Sequence, residues 1–81
     1  MSISKEHYKT KDLAEASLLL VKGVKLCTME KQDGICWFVF NKDENQQELT
    51  QNFWFGECLV NARDYHQTMS SLKNRIYSLN Q

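Results

Sequence analysis

Proline is absent from this chain of 81 residues, glycine occurs only three times, and neither sign of charge is in excess. Each absence excludes something. Without proline there is no polyproline segment. Three isolated glycines, placed as punctuation between patterned segments, cannot build a phosphate-cradling loop. Ten Lys and Arg cancel ten Asp and Glu, which argues against a strong electrostatic nucleic-acid binder. The longest aliphatic run, residues 18–21, is far too short to span a bilayer. No signal peptide is visible, because Asp12 and Glu15 interrupt the one candidate apolar region.

Metal and thiol chemistry are equally thinly provided. Cys27, Cys36 and Cys58 are odd in number and sit among apolar or strand-forming residues, as reduced structural thiols do. No CxxC or HxxxH pair exists among the three cysteines and the two histidines, His7 and His66, so no zinc site is expected. A Cys58–His66 nucleophile pair lacks any recognisable oxyanion hole. The adjacent acids Asp43 and Glu44 lie in a polar loop, where they solvate it or cap the next helix. The expectation is a cytoplasmic protein that is not an enzyme, with no metal, no cofactor and no evident small-molecule substrate.

What the chain does have is a moderate apolar content, 42%, ordinary for a packed domain and enough for one but not two. Residues 11–22 read as a helix, with the Thr10 hydroxyl as its cap and Gly23 at its end. Residues 6–9 read as a short edge strand. Residues 24–31 and 35–41 read as two strands joined through Asp33-Gly34, a dipeptide that suits a tight hairpin because Gly34 accepts positive φ. The second of these is apolar on both faces, with Cys36, Phe38 and Phe40 on one and Ile35, Trp37 and Val39 on the other, so it is expected in the centre of the sheet.

A helix over about residues 44–55 follows, capped by Asp43, with Leu49, Phe53 and Trp54 inward and Gly56 ending it. Residues 58–60 read as a short extended link. The last helix, residues 62–79, starts at Asn61 and carries the clearest pattern in the chain. Ala62, Tyr65, Met69, Leu72, Ile76 and Leu79 recur at spacings of three and four, a narrow stripe that packs lengthwise on one surface. That surface is either the domain itself or another copy, and a short chain with little core favours the first. The expected fold is α+β: a small antiparallel sheet centred on the hairpin, three helices packed against it, order (β)αββα(β)α.

Charge is balanced but segregated. Residues 30–57 carry six acids against Lys31 and Lys42, while the flanking segments are each net basic. Phe53-Trp54-Phe55 spans about 200° of a helix, so the three rings cannot share one core unless the helix is clamped from several sides. An exposed aromatic marks a contact surface. The protein is therefore read as a small accessory or adaptor domain that binds a protein or another copy of itself. Trp54 and Phe55 supply apolar contact, and Arg63, His66, Lys73, Arg75 and Tyr77 a polar surface. The alternative is a weak nucleic-acid binder using the basic residues of the last helix on phosphates and Tyr77 on bases; a neutral chain with few cations offers it little counterion release.

Several strings carry a family resemblance in their order along residues 8–77. They are Tyr8-Lys9-Thr10-Lys11-Asp12-Leu13-Ala14, Leu19-Leu20, Gly23, Trp37-Phe38-Val39-Phe40, Phe53-Trp54, Gly56 and Leu72-Lys73-Asn74-Arg75-Ile76-Tyr77. In these the chain resembles a family of short bacterial and phage proteins grouped only as a domain of unknown function. The resemblance implies no activity, substrate, cofactor or site residue. It does imply an accessory protein of a phage or mobile element that works through contacts.

Overall fold

The computed structural model describes residues 6–79. Its elements are β1 (His7–Thr10), α1 (Leu13–Val21), β2 (Leu26–Gln32), β3 (Ile35–Asn41), α2 (Glu44–Trp54) and α3 (Ala62–Leu79). The strands form one antiparallel sheet in the order β1-β3-β2, so the strand that is apolar on both faces is central, as its sequence requires. The hairpin closes on Asp33 (φ 52°) and Gly34 (φ 80°) with Gln32 paired to Ile35. Two consecutive positive φ values match the right-handed twist of the strands.

Cross-strand partners share a face of the sheet. Tyr8, Thr10, Leu26, Met29, Phe38 and Phe40 therefore point together toward the helices. There Phe38, Phe40, Ala16, Leu19, Val24 and Leu72 form the buried core. Each large side chain in that cluster contributes about 1.5–3 kcal/mol by leaving water. The opposite face carries His7, Lys9, Thr28, Glu30, Trp37 and Val39. Lys9 and Glu30, from the two outer strands, meet across it at 3.0 Å; Val39 is buried between those strands. Both charged groups are about half exposed, so the pair is worth at most about 1 kcal/mol.

The helix α1 is the centre of the helical layer, with α2 and α3 both packed on it. Glu15, Ala16, Ser17, Leu18 and Leu19 are all buried, five residues in succession. Being enclosed on several sides, α1 shows no single apolar stripe. Its cap is Asp12 rather than Thr10: Asp12 Oδ1 accepts from the Glu15 N–H at 2.8 Å. Thr10 remains in β1, and its Oγ1 accepts from the Asp12 N–H at 3.1 Å. Helix α3 has the length its periodicity predicts, and Asn61 caps it through the Asp64 N–H at 3.0 Å. The middle of its stripe docks within the molecule, while Ala62 and Leu79 at the two ends are exposed. Leu72 is buried, Ile76 packs against the core, and the Tyr65 hydroxyl donates to Ala14 O at 3.1 Å. Residues 58–60 make no strand; they are irregular chain leading into α3.

Candidate functional site

The end of α2 is built to stop sharply. Gly56 takes φ 75°, which a residue with a Cβ adopts only at a cost. Its N–H donates to Phe53 O at 3.1 Å and the Glu57 N–H donates to Asn52 O at 2.8 Å. This pair of reversed bonds satisfies the last carbonyls of the helix and turns the chain away. At the other end Asp43 Oδ1 accepts from the Gln46 N–H at 2.7 Å. With both ends fixed, the three aromatics are placed by helical rotation alone. Phe53 turns inward and is half-buried, whereas Trp54 is 60% and Phe55 70% exposed. The inward expectation for Trp54 is thus corrected: it follows Phe53 by about 100°, and the inner side of α2 is already filled by Gln46, Leu49, Thr50 and Phe53. Trp54 instead stacks edge-on to Phe53, ring centres 4.9 Å apart.

Leu59, in the link that follows, is a third exposed large apolar side chain, 88% in solvent and four positions after Phe55. An open cleft of ≈ 280 Å³ lies beside them, lined by Leu18, Phe53, Gly56, Cys58, Val60 and Tyr65. In the sequence Leu59 reads only as part of an extended link. The available signal was an apolar residue between Gly56 and Asn61 that belongs to no periodic pattern.

The polar residues expected on α3 divide between two faces. Arg63, His66, Lys73 and Tyr77 are all exposed, and at 100° per residue they fall, with Ser70, within an arc of about 80°. Arg75 does not join them. It lines a separate groove of ≈ 490 Å³ with Leu26, Cys27, Thr28, Met29, Ser78 and Leu79, between β2 and the end of α3. Neither surface includes a group of His, Cys, Asp or Glu able to hold a metal ion among the described residues. Burial pushes the Cys36 thiol up from its usual range, with Lys31 opposing. Burial, then the charge of Asp12, does the same for the Tyr65 phenol. No helix among the described residues is long and apolar enough to cross a membrane.

Behind the aromatic corner stands a polar cluster that the sequence did not reveal. Glu15, in the first turn of α1, is fully buried. Its carboxylate accepts from Tyr8 Oη at 2.6 Å, Thr10 Oγ1 at 2.8 Å and Thr50 Oγ1 at 2.9 Å. Gln46 Nε2 in turn donates to Thr50 Oγ1 at 2.9 Å, leaving Gln46 Oε1 buried without a partner. Burial, reinforced by the bond to Glu15 and its charge, pushes the Tyr8 phenol up to about 12. The cluster ties β1, α1 and α2 together, and so fixes the helix that displays Trp54 and Phe55. Nothing local marks a glutamate in the first turn of a helix as buried, since a charge there also suits the dipole in solvent.

The chain belongs to the family described as Domain of unknown function (DUF5659), whose model matches residues 5–78. No curated protein and no solved structure matches it.

Proposed function

We propose that this protein is a small accessory or adaptor domain that acts through protein–protein contacts rather than catalysis, with the corner of Trp54, Phe55 and Leu59 as its principal contact surface. The observation that carries this reading is the exposure of those three large apolar side chains within residues 54–59, a segment whose Gly56 and Cys58 line an apolar cleft. A domain short of core gains stability by burying aromatics. Holding two of them outside, on a helix capped at both ends and anchored through Glu15, forgoes that gain. Aromatic anchors beside a cleft are the usual centre of a binding surface. An accessory role in a phage or mobile element belongs to the same proposal, and a partner gene beside this one is its expected signature.

The test is capture from a lysate of the source cell, using the wild-type chain and the variant Trp54→Ser/Phe55→Ser/Leu59→Ser. The expected result is a protein retained by the wild type and lost by the variant, with equal far-UV circular dichroism for the two. Retention that is the same for both, or absent for both, contradicts the reading.

One observation keeps nucleic-acid binding as a second reading, namely the alignment of Arg63, His66, Lys73 and Tyr77 on one exposed stripe of α3. Only two of these are permanent cations, so a slope of log K on log salt of about −1 to −2 is the most it can supply. A retarded DNA or RNA band at low salt that weakens on Lys73→Ala is its expected result, and no shift with either nucleic acid removes it.

A further inference from the structure

Two exposed stripes of this molecule have the same spacing and opposite charge. On α2 and its C-terminal cap, Glu44, Glu48, Gln51 and Phe55 are all exposed and follow one another at steps of four, three and four. They lie about 180° from the inward-facing Gln46, Leu49 and Phe53. Across residues 43–57 every charged side chain is acidic: Asp43, Glu44, Glu48 and Glu57, all of them exposed. On α3, His66, Ser70, Lys73 and Tyr77 repeat the same steps, with Arg63 one turn before, and no acid falls on that stripe. Within one copy these charges are not used against each other. The ion pairs among the described residues are Lys9–Glu30 and Lys42–Glu6, and neither involves Glu44, Glu48, Arg63 or Lys73.

From this complementarity we infer that the partner of the α2 surface is α3 of a second copy of this chain, the two helices running antiparallel. This rests on the protein-contact reading above and names the occupant. In antiparallel register Glu48 meets Lys73. Phe55 meets His66 with Arg63 beside it, Gln51 meets Ser70 and Glu44 meets Tyr77. The spacing holds because equal steps give equal rises of about 1.5 Å per residue on both helices. Opposed helix dipoles favour the same direction, and a cation beside the Phe55 ring adds to it. Because each copy offers one acidic and one basic stripe on different helices, the contact either repeats head to tail or closes as a reciprocal pair about a two-fold axis. The zero net charge of the chain means that no long-range repulsion opposes this. The aromatic area available, at most about 150–250 Å² per ring, falls short of the roughly 800 Å² per partner of a standard interface. The association is therefore weak, with a Kd on the order of 10–1,000 µM.

The experiment is sedimentation equilibrium of the full chain from about 10 µM to about 1 mM, at about 0.05 M and about 0.5 M NaCl. At low salt the weight-average mass rises with concentration, to a plateau at twice the chain mass where the contact closes reciprocally and without one where it repeats; at high salt it returns toward the 9.5 kDa monomer. Glu48→Lys and Lys73→Glu each stay monomeric, because like charges now meet at the contact. An equimolar mixture of the two variants recovers the association, copies alternating. Both positions are exposed, and unchanged thermal unfolding shows that each variant folds. A wild type monomeric at every concentration overturns the inference, and so does self-association that ignores both charge reversals. A monomeric wild type still leaves lysate capture to decide whether the aromatic corner binds another protein, so the two failures are told apart.

Discussion

Replacing Glu15 by Leu removes the acceptor that three hydroxyls share while filling the space it leaves. The loss follows from where the orphaned donors stand. Thr10 is 6% exposed, so its hydroxyl can no longer reach Glu15 and has little water to turn to, a cost of about 1–3 kcal/mol. Tyr8 and Thr50 are half-buried and recover part of their bonding from water. Each nonetheless loses a bond to a carboxylate, a kind worth about 1.5–3 kcal/mol. Water at Tyr8 and Thr50 and the relief of no longer burying a carboxylate lower that sum, so about 3–5 kcal/mol is expected for Glu15→Leu, a large fraction of the stability of a domain this small. Glu15→Gln keeps one carbonyl acceptor and should lose about 1–3 kcal/mol. Urea unfolding followed by circular dichroism reads both, as a lower midpoint at unchanged slope. A double-mutant cycle between Tyr8→Phe and Glu15→Gln should show coupling of about 1 kcal/mol or more. A Glu15→Leu protein as stable as the wild type would refute the reasoning, because the carboxylate would then be a burden that its three bonds merely offset.

The remaining predictions concern the same frame. Tyr8 keeps its proton to about pH 12 in the folded protein, against the ordinary phenol value of 10.0. Stability from this source is therefore full below pH 10 and is lost as pH rises through the folded value; Tyr8→Phe should flatten that part of the alkaline decline in a pH series of unfolding midpoints. Leu72→Ala should cost about 2–5 kcal/mol by opening a cavity where α3 meets the core, read by the same denaturation. Gln46→Met removes the buried Oε1 that has no partner, and should leave stability unchanged or raise it by up to about 1 kcal/mol. Trp54→Ser and Phe55→Ser should each shift stability by less than about 1 kcal/mol, because the rings they remove are mostly in water.

The parts of the fold legible in the sequence are those governed by local rules. Asp33-Gly34 specifies the hairpin, Asp43 and Asn61 cap their helices, and the seam of α3 gives both its limits and its inward face. The two-sided apolar pattern of β3 places it between the other strands. What local rules do not reach is the surroundings of α1. A helix enclosed by the sheet, α2 and α3 buries residues on all sides, so Glu15 and Ser17 go inside against their usual preference, made possible for Glu15 by hydroxyls from β1 and α2. Those donors lie up to thirty-five positions away in the chain, and no periodicity links them to Glu15. The proposed contact surface is half legible. Rotation about α2 decides which of Phe53, Trp54 and Phe55 are exposed, and the sequence alone leaves the phase of that rotation open because Gln46 and Thr50, polar residues, occupy the inner face. On α3 the same helical arithmetic unites Arg63, His66, Lys73 and Tyr77 and sends Arg75 to the groove beside β2.

The central claim is that Phe55 and its neighbours meet a protein in the cell. The most direct measurement is photo-crosslinking there, with a photoreactive phenylalanine analogue at position 55 and, as control, at exposed position 31 on the hairpin. A discrete protein adduct, another copy of this chain or a different partner, is expected from position 55 and none from position 31. No adduct at 55, or the same adducts from both positions, would contradict the claim.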